Sequence, residues 1–81
     1  MLEIGQRYYI ETANIFAVPI AKVSEGRHIF VSQRYIHNPF VSWGHSEPEG
    51  LNINCYHGNY YATLIEAMEG EGLVASSHKG G

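Results

Sequence analysis

LNINCYHGNYYATLIEAMEGEG, residues 51–72, is where the hydrophobic period of this chain changes. Over its first half Leu51, Ile53 and Cys55 alternate with Asn52, Asn54 and Tyr56, the period of two that marks a half-buried strand. Gly58 interrupts that run and marks a bulge or a close backbone approach. From Thr63 the spacing lengthens. Leu64, Ala67 and Met68 fall at i, i+3 and i+4 and form one apolar stripe. Thr63 and Glu66 are spaced as a capping box, and Gly70 and Gly72 stop the helix after about two turns. So short a helix is unstable alone and has to be held by a sheet.

Working outward, the chain upstream divides into further segments of strand length. Residues 6–12 (QRYYIET) are aromatic and β-branched, with a turn at Ala13-Asn14. Residues 15–23 (IFAVPIAKV) are apolar on both faces, and Pro19, without an amide donor, belongs at an edge or a bulge. Ser24-Glu25-Gly26 is a hairpin loop. Residues 27–36 return as the next strand, with Ile29 and Val31 on one face, until His37-Asn38-Pro39 breaks it. Residues 40–43 (FVSW) form a short strand, and residues 45–50 a polar loop. The expected fold is α+β: an antiparallel sheet of about five strands packed by one short C-terminal helix. Residues 1–75 make one domain and residues 76–81 a loose tail.

The chain has 81 residues, 44% hydrophobic and 16% charged, enough for one core and too apolar for disorder. Its single cysteine, Cys55, cannot form an internal disulfide. With no apolar run near eighteen residues and no leader pattern, the expectation is a cytoplasmic protein that does not enter a membrane. Residues 1–34 carry Arg7, Lys22, Arg27 and Arg34 against Glu3, Glu11 and Glu25. Residues 35–78 hold no Lys or Arg, and Glu47, Glu49, Glu66, Glu69 and Glu71. An acidic half repels phosphates, so direct nucleic-acid binding is not expected.

Residues 40–71 resemble a group of small uncharacterised proteins of bacteria, phages and mobile elements. Phe40-Val41-Ser42-Trp43 matches an aromatic-Val-Thr-Trp strand of that group. Cys55, Tyr56, Gly58, Tyr60 and Tyr61 match a second strand, and Leu64, Glu66, Ala67, Met68 and Glu69 a short helix. His57, Asn59 and Glu71 depart from the pattern, which has Trp, His and Phe there. The resemblance implies the strand–strand–helix order and a mobile-element setting, and no reaction.

Catalytic chemistry finds little to work with. Cys55 lies in the apolar phase, where a thiol is core rather than nucleophile. The chain has no aspartate, and Glu66 is occupied by the capping box. No glycine-rich loop precedes a helix to cradle phosphate, and no cofactor motif occurs. Among the histidines, His37, His45 and His57 with Cys55 are the set that could converge on a metal. Cys55 and His57, two apart on a strand, share a face. Tyr60 and Tyr61, being adjacent, point to opposite faces.

The leading expectation is therefore a non-enzymatic binding protein. Its acidic and aromatic face, built from Trp43, Glu47, Glu49, Tyr60, Tyr61, Glu66, Glu69 and Glu71, docks on the basic surface of a partner protein. The concrete form is a small inhibitor of a nucleic-acid-handling host complex, of anti-CRISPR or other anti-defence type. A histidine-rich metal or ligand site around Cys55 and His57, in an enzyme or not, is the alternative from another class. A homodimer built by edge strands, of which Pro19 protects only part of one edge, is a third.

Overall fold

The computed structural model describes residues 1–75, so the expected tail at 76–81 lies outside the described residues. The elements in chain order are β1 (Tyr8–Ile10), β2 (Ile15–Ser24), β3 (Arg27–Val31), β4 (Phe40–His45), β5 (Asn52–Ile53), β6 (Cys55–Tyr61) and α1 (Leu64–Gly70). The six strands form one sheet in the order β5-β1-β2-β3-β4-β6. This is the expected α+β fold with its one short C-terminal helix. The sheet, however, is mixed: β5 runs parallel to β1, pairing Asn52 with Tyr9 and Ile53 with Ile10. No helix among the described residues is long and apolar enough to cross a membrane.

Two corners curl the sheet. The first is in β2, whose start pairs with β1 and whose remainder pairs with β3. The register with β3 shifts just after Pro19, where the ring removes a ladder donor, while the Pro19 carbonyl accepts the Gly5 amide at 2.9 Å. Pro19 thus marks a bulge in an interior strand and protects no edge, which corrects the premise of the edge-strand dimer. The second corner is Asn54. Residues 51–61, expected as one strand, divide there into β5 and β6, which lie at opposite ends of the sheet. Since one residue joins them, the sheet must bend until its ends meet. Thr12 stitches the seam: its hydroxyl donates to the Cys55 carbonyl at 2.6 Å and accepts the Cys55 amide at 2.9 Å.

Inside the curl, Tyr8, Ile10, Ile15, Ala17, Phe30, Val41, Trp43, Ile53 and Cys55 form the core. Phe30 meets Trp43 edge-on, with ring centroids 5.5 Å apart. Two local events set which side chains reach this core. The strand expected to run to residue 36 stops at Val31, because Ser32 is buried and turns the chain. Its hydroxyl accepts the Arg34 amide at 3.2 Å and its own amide donates to Pro39 at 2.9 Å, closing a loop that lays Tyr35 against Trp43. In β6, Asn59 pairs with Ser42 but Tyr56 pairs with Gly44, so His57 and Gly58 together oppose Trp43. That is the bulge expected at Gly58, and His57 takes a left-handed φ of 56° to make it. The approach is close as well: a Cβ on Gly58 would lie 2.8 Å from Trp43 Nε1.

The helix begins and ends as its local sequence requires. Thr63 Oγ1 accepts the Glu66 amide at 3.2 Å. At the other end Gly72 adopts φ 79°, its amide donating to Glu69 and the Leu73 amide to Met68, the paired bonds of a Schellman stop. Of the expected stripe, Ala67 is fully buried, Met68 half-buried and Leu64 exposed. A small residue is needed at the contact because α1 packs very near β4 and β6. Gly70 touches the Tyr61 ring closely enough that a Cβ there would lie 2.5 Å from its hydroxyl.

Candidate functional site

The eight residues expected on one acidic and aromatic face separate into four settings. Glu66 and Glu69 on α1 line an open groove of about 480 Å³ with Asn38, Tyr60 and Tyr61. Tyr60 is 49% exposed and braced edge-on by Tyr35, with ring centroids 5.3 Å apart. Tyr61 leaves β6 toward the helix, so the adjacent tyrosines face opposite ways as the strand period requires. Glu47 and Glu49 instead line a smaller cleft of about 170 Å³ with Glu11, and the two hollows share no lining residue. Glu47 also lies 3.4 Å from the N-terminal ammonium, a fully exposed ion pair that adds little stability.

Trp43 is not on a surface. It is 4% exposed, between Phe30 and the close backbone at Gly58, because the bulge gives its indole a place in the core.

Glu71 is a structural latch and not a surface charge, its side chain being only 7% exposed. Its carboxylate accepts from Tyr61 Oη at 2.7 Å, Asn59 Nδ2 at 3.1 Å and Arg27 Nε at 3.3 Å. Arg27 in turn donates to Ser42 Oγ, the Ser42 carbonyl and the His57 carbonyl. Burial alone would favour the protonated acid. The hydrogen bonds from Tyr61, Ser42, Asn59 and Arg27 outweigh it, so the Glu71 carboxyl sits below the usual carboxylate range. Burial first, then the bond to Glu71, pushes the Tyr61 phenol up to about 12. Arg27, inserted among these groups, ties the end of α1 to β3, β4 and β6 together.

The histidine set does not converge. Among the described residues no group of three or more His, Cys, Asp or Glu side chains could hold a metal ion. Cys55 is buried, and burial raises its thiol to about 12, far from the thiolate that ligation or attack needs. His57 is exposed on the bulge, where the alternation that put it on the face of Cys55 is broken.

His45 finds a different partner, His28, with Nδ1 of His28 2.8 Å from Nε2 of His45. The proton positions follow from the next bond. Nδ1 of His45 lies 2.9 Å from the Ser46 carbonyl, which can only accept, so His45 carries its proton there and its Nε2 accepts from His28. Burial, then His45 and then Lys22 hold the His28 imidazole below its usual value. His28 was passed over in the sequence, although alternation with Ile29 and Val31 puts it on the opposite face with Phe30. The two rings meet Phe30 edge-on and extend the aromatic core toward the N-terminal segment.

Comparison with protein-family models, with curated proteins and with solved structures finds no match.

Proposed function

We propose that this chain is a non-enzymatic binding protein that occupies a basic protein surface with the groove between β6 and α1. The observation that carries the reading is the make-up of that groove: a half-exposed tyrosine braced by a second ring, two carboxylates, and no Lys or Arg among the described residues that line it. An aromatic held in one orientation loses little entropy on docking, and the carboxylates steer a cationic partner and fix its register. Glu47 and Glu49 contribute only at long range in this reading, and Trp43 and Glu71 contribute by holding the scaffold.

The concrete form is an inhibitor that masks the cationic groove of a nucleic-acid-handling complex in the cytoplasm, an anti-CRISPR or related anti-defence protein. That setting rests on the resemblance of residues 40–71 to mobile-element proteins together with the acidic groove. Capture of partners from bacterial lysate on the tagged chain, at low and at high salt, tests it. The expected result is a basic or nucleic-acid-bound protein that is retained at low salt, released at high salt, and lost with Glu66→Lys/Glu69→Lys. A partner held equally by wild type and by that variant would show that the groove is not the docking surface.

A further inference from the structure

Two arginines gather on one surface. Lys22 bonds Glu25 at 2.6 Å and Arg27 is engaged by Glu71, whereas among the described residues neither Arg7 nor Arg34 has an ion pair. Both arginines line a hollow of about 400 Å³, together with Phe16, Gln33 and Asn14. A second hollow of about 440 Å³ adjoins it, sharing Arg7, Phe16 and Gln33 and continuing over Val18 and Val31. Among the described residues, no Asp or Glu lines either one.

Phe16 is 51% exposed and belongs to this surface rather than to the core. The Arg7 guanidinium lies over its ring at 4.0 Å, and Tyr9 packs on it with centroids 5.2 Å apart. Tyr9 is itself fixed by a hydrogen bond from its hydroxyl to Asn14. Stacking orients a guanidinium and leaves its in-plane donors available for a carboxylate. With Arg7 and Tyr9 already on the Phe16 ring and only two cations among the described residues that line it, the surface suits protein carboxylates beside an apolar side chain better than a stacked, phosphate-linked strand.

This chain carries such a surface elsewhere. We propose that a second copy docks its Tyr60–Glu66–Glu69 groove on the Arg7–Phe16–Arg34 surface, head to tail. The argument is charge complementarity. One surface presents two arginines and, among the described residues, no acid around an exposed phenylalanine; the other presents Glu66 and Glu69 beside an exposed tyrosine. The two surfaces share no residue, so the contact is heterologous and can repeat from copy to copy. The inference rests on the reading of the groove as a docking surface and adds its regulation: a second copy and a basic partner compete for the same carboxylates. Self-association thus hides the groove when the protein is concentrated and a partner is scarce.

Sedimentation equilibrium of the full chain over a concentration series, at low and high salt, tests the proposal. Wild type is expected to show a weight-average mass that rises with concentration at low salt and falls back at high salt. Arg7→Glu/Arg34→Glu and Glu66→Arg/Glu69→Arg, each checked for folding by circular dichroism, should associate at least about tenfold more weakly, since each then opposes like charges. Mixing these two variants restores both complementary contacts and should restore the mass increase. A wild type that stays monomeric throughout the series at low salt would overturn the proposal, as would association unaffected by Arg7→Glu/Arg34→Glu or a mixture that stays monomeric. Capture from lysate separates this failure from failure of the function. Arg7→Glu/Arg34→Glu keeps the groove and should still retain the basic partner, whatever its own mass.

Discussion

Replacing Glu71 by alanine removes the acceptor on which donors from β3 and β6 converge. The carboxylate is 7% exposed, and the Arg27 side chain facing it is 21% exposed. Hydrogen bonds to a charged group contribute about 1.5–3 kcal/mol each, and breaking a fully buried pair costs about 3–5 kcal/mol. Arg27 retains its bonds to Ser42 and to the His57 carbonyl, and it keeps some access to water, which lowers the cost. The expected loss is roughly 2–4 kcal/mol for Glu71→Ala, with about half of that for Glu71→Gln, which keeps the volume and loses the charge.

Against a total stability of roughly 4–12 kcal/mol for a chain of this length, such a loss is large. It corresponds to a fall in Tm of roughly 10–25 °C. Circular dichroism melts of the two variants beside wild type read it directly. The sign with pH follows from the depressed carboxyl. The stabilisation is fully present above the unfolded carboxylate value of about 4.3 and is lost as pH falls through the lower folded value. The difference between wild type and Glu71→Ala should therefore narrow toward pH 3. A difference under about 0.5 kcal/mol at pH 7, the range of ordinary surface changes, would refute the latch. An undiminished difference at pH 3 would refute its ionic character.

Gly58→Ala should lower stability by about 1–3 kcal/mol, because its Cβ meets the buried indole of Trp43 rather than a movable chain end; urea unfolding followed by tryptophan fluorescence measures it. His28 is held neutral in the folded chain, so its contribution is complete above the unfolded value of about 6.5 and declines as pH falls below it. Urea midpoints at pH 7.5 and 5.5 should differ more for wild type than for His28→Leu, and equal differences would show that His28 does not carry the effect. Cys55, buried and with its thiol raised to about 12, should react with a thiol reagent in urea far faster than in the native state. Rapid native labelling would contradict that placement.

The features legible in the sequence are those whose causes lie within a few residues. Thr63 and Glu66 start the helix and Gly72 stops it, because a cap is a hydrogen bond between near neighbours in the chain. Gly26 closes the hairpin between β2 and β3 with φ 78°, and Asn14 turns the chain before β2 with φ 57°. The α+β class follows from the change of period after Tyr61. Alternation also assigned Tyr60 and Tyr61 to opposite faces, and that survived because no bulge lies between Gly58 and the end of β6.

What only the tertiary structure decided depends on partners far along the chain. Nothing near Asn54 says that the residues on its two sides pair with opposite ends of the sheet; β1 and β4 impose that. The bulge at His57 and Gly58 reversed the parity that had joined His57 to Cys55, since a period of two holds only while the ladder is regular. Glu71 reads as one more exposed glutamate until Arg27, Asn59 and Tyr61 arrive around it from two strands. The same holds for charge. Composition sums the arginines of residues 1–34 into a nearly neutral half. Folding neutralises Lys22 with Glu25 and Arg27 with Glu71, and leaves Arg7 and Arg34 beside Phe16, because ion pairs form by distance in space and not by position in the chain.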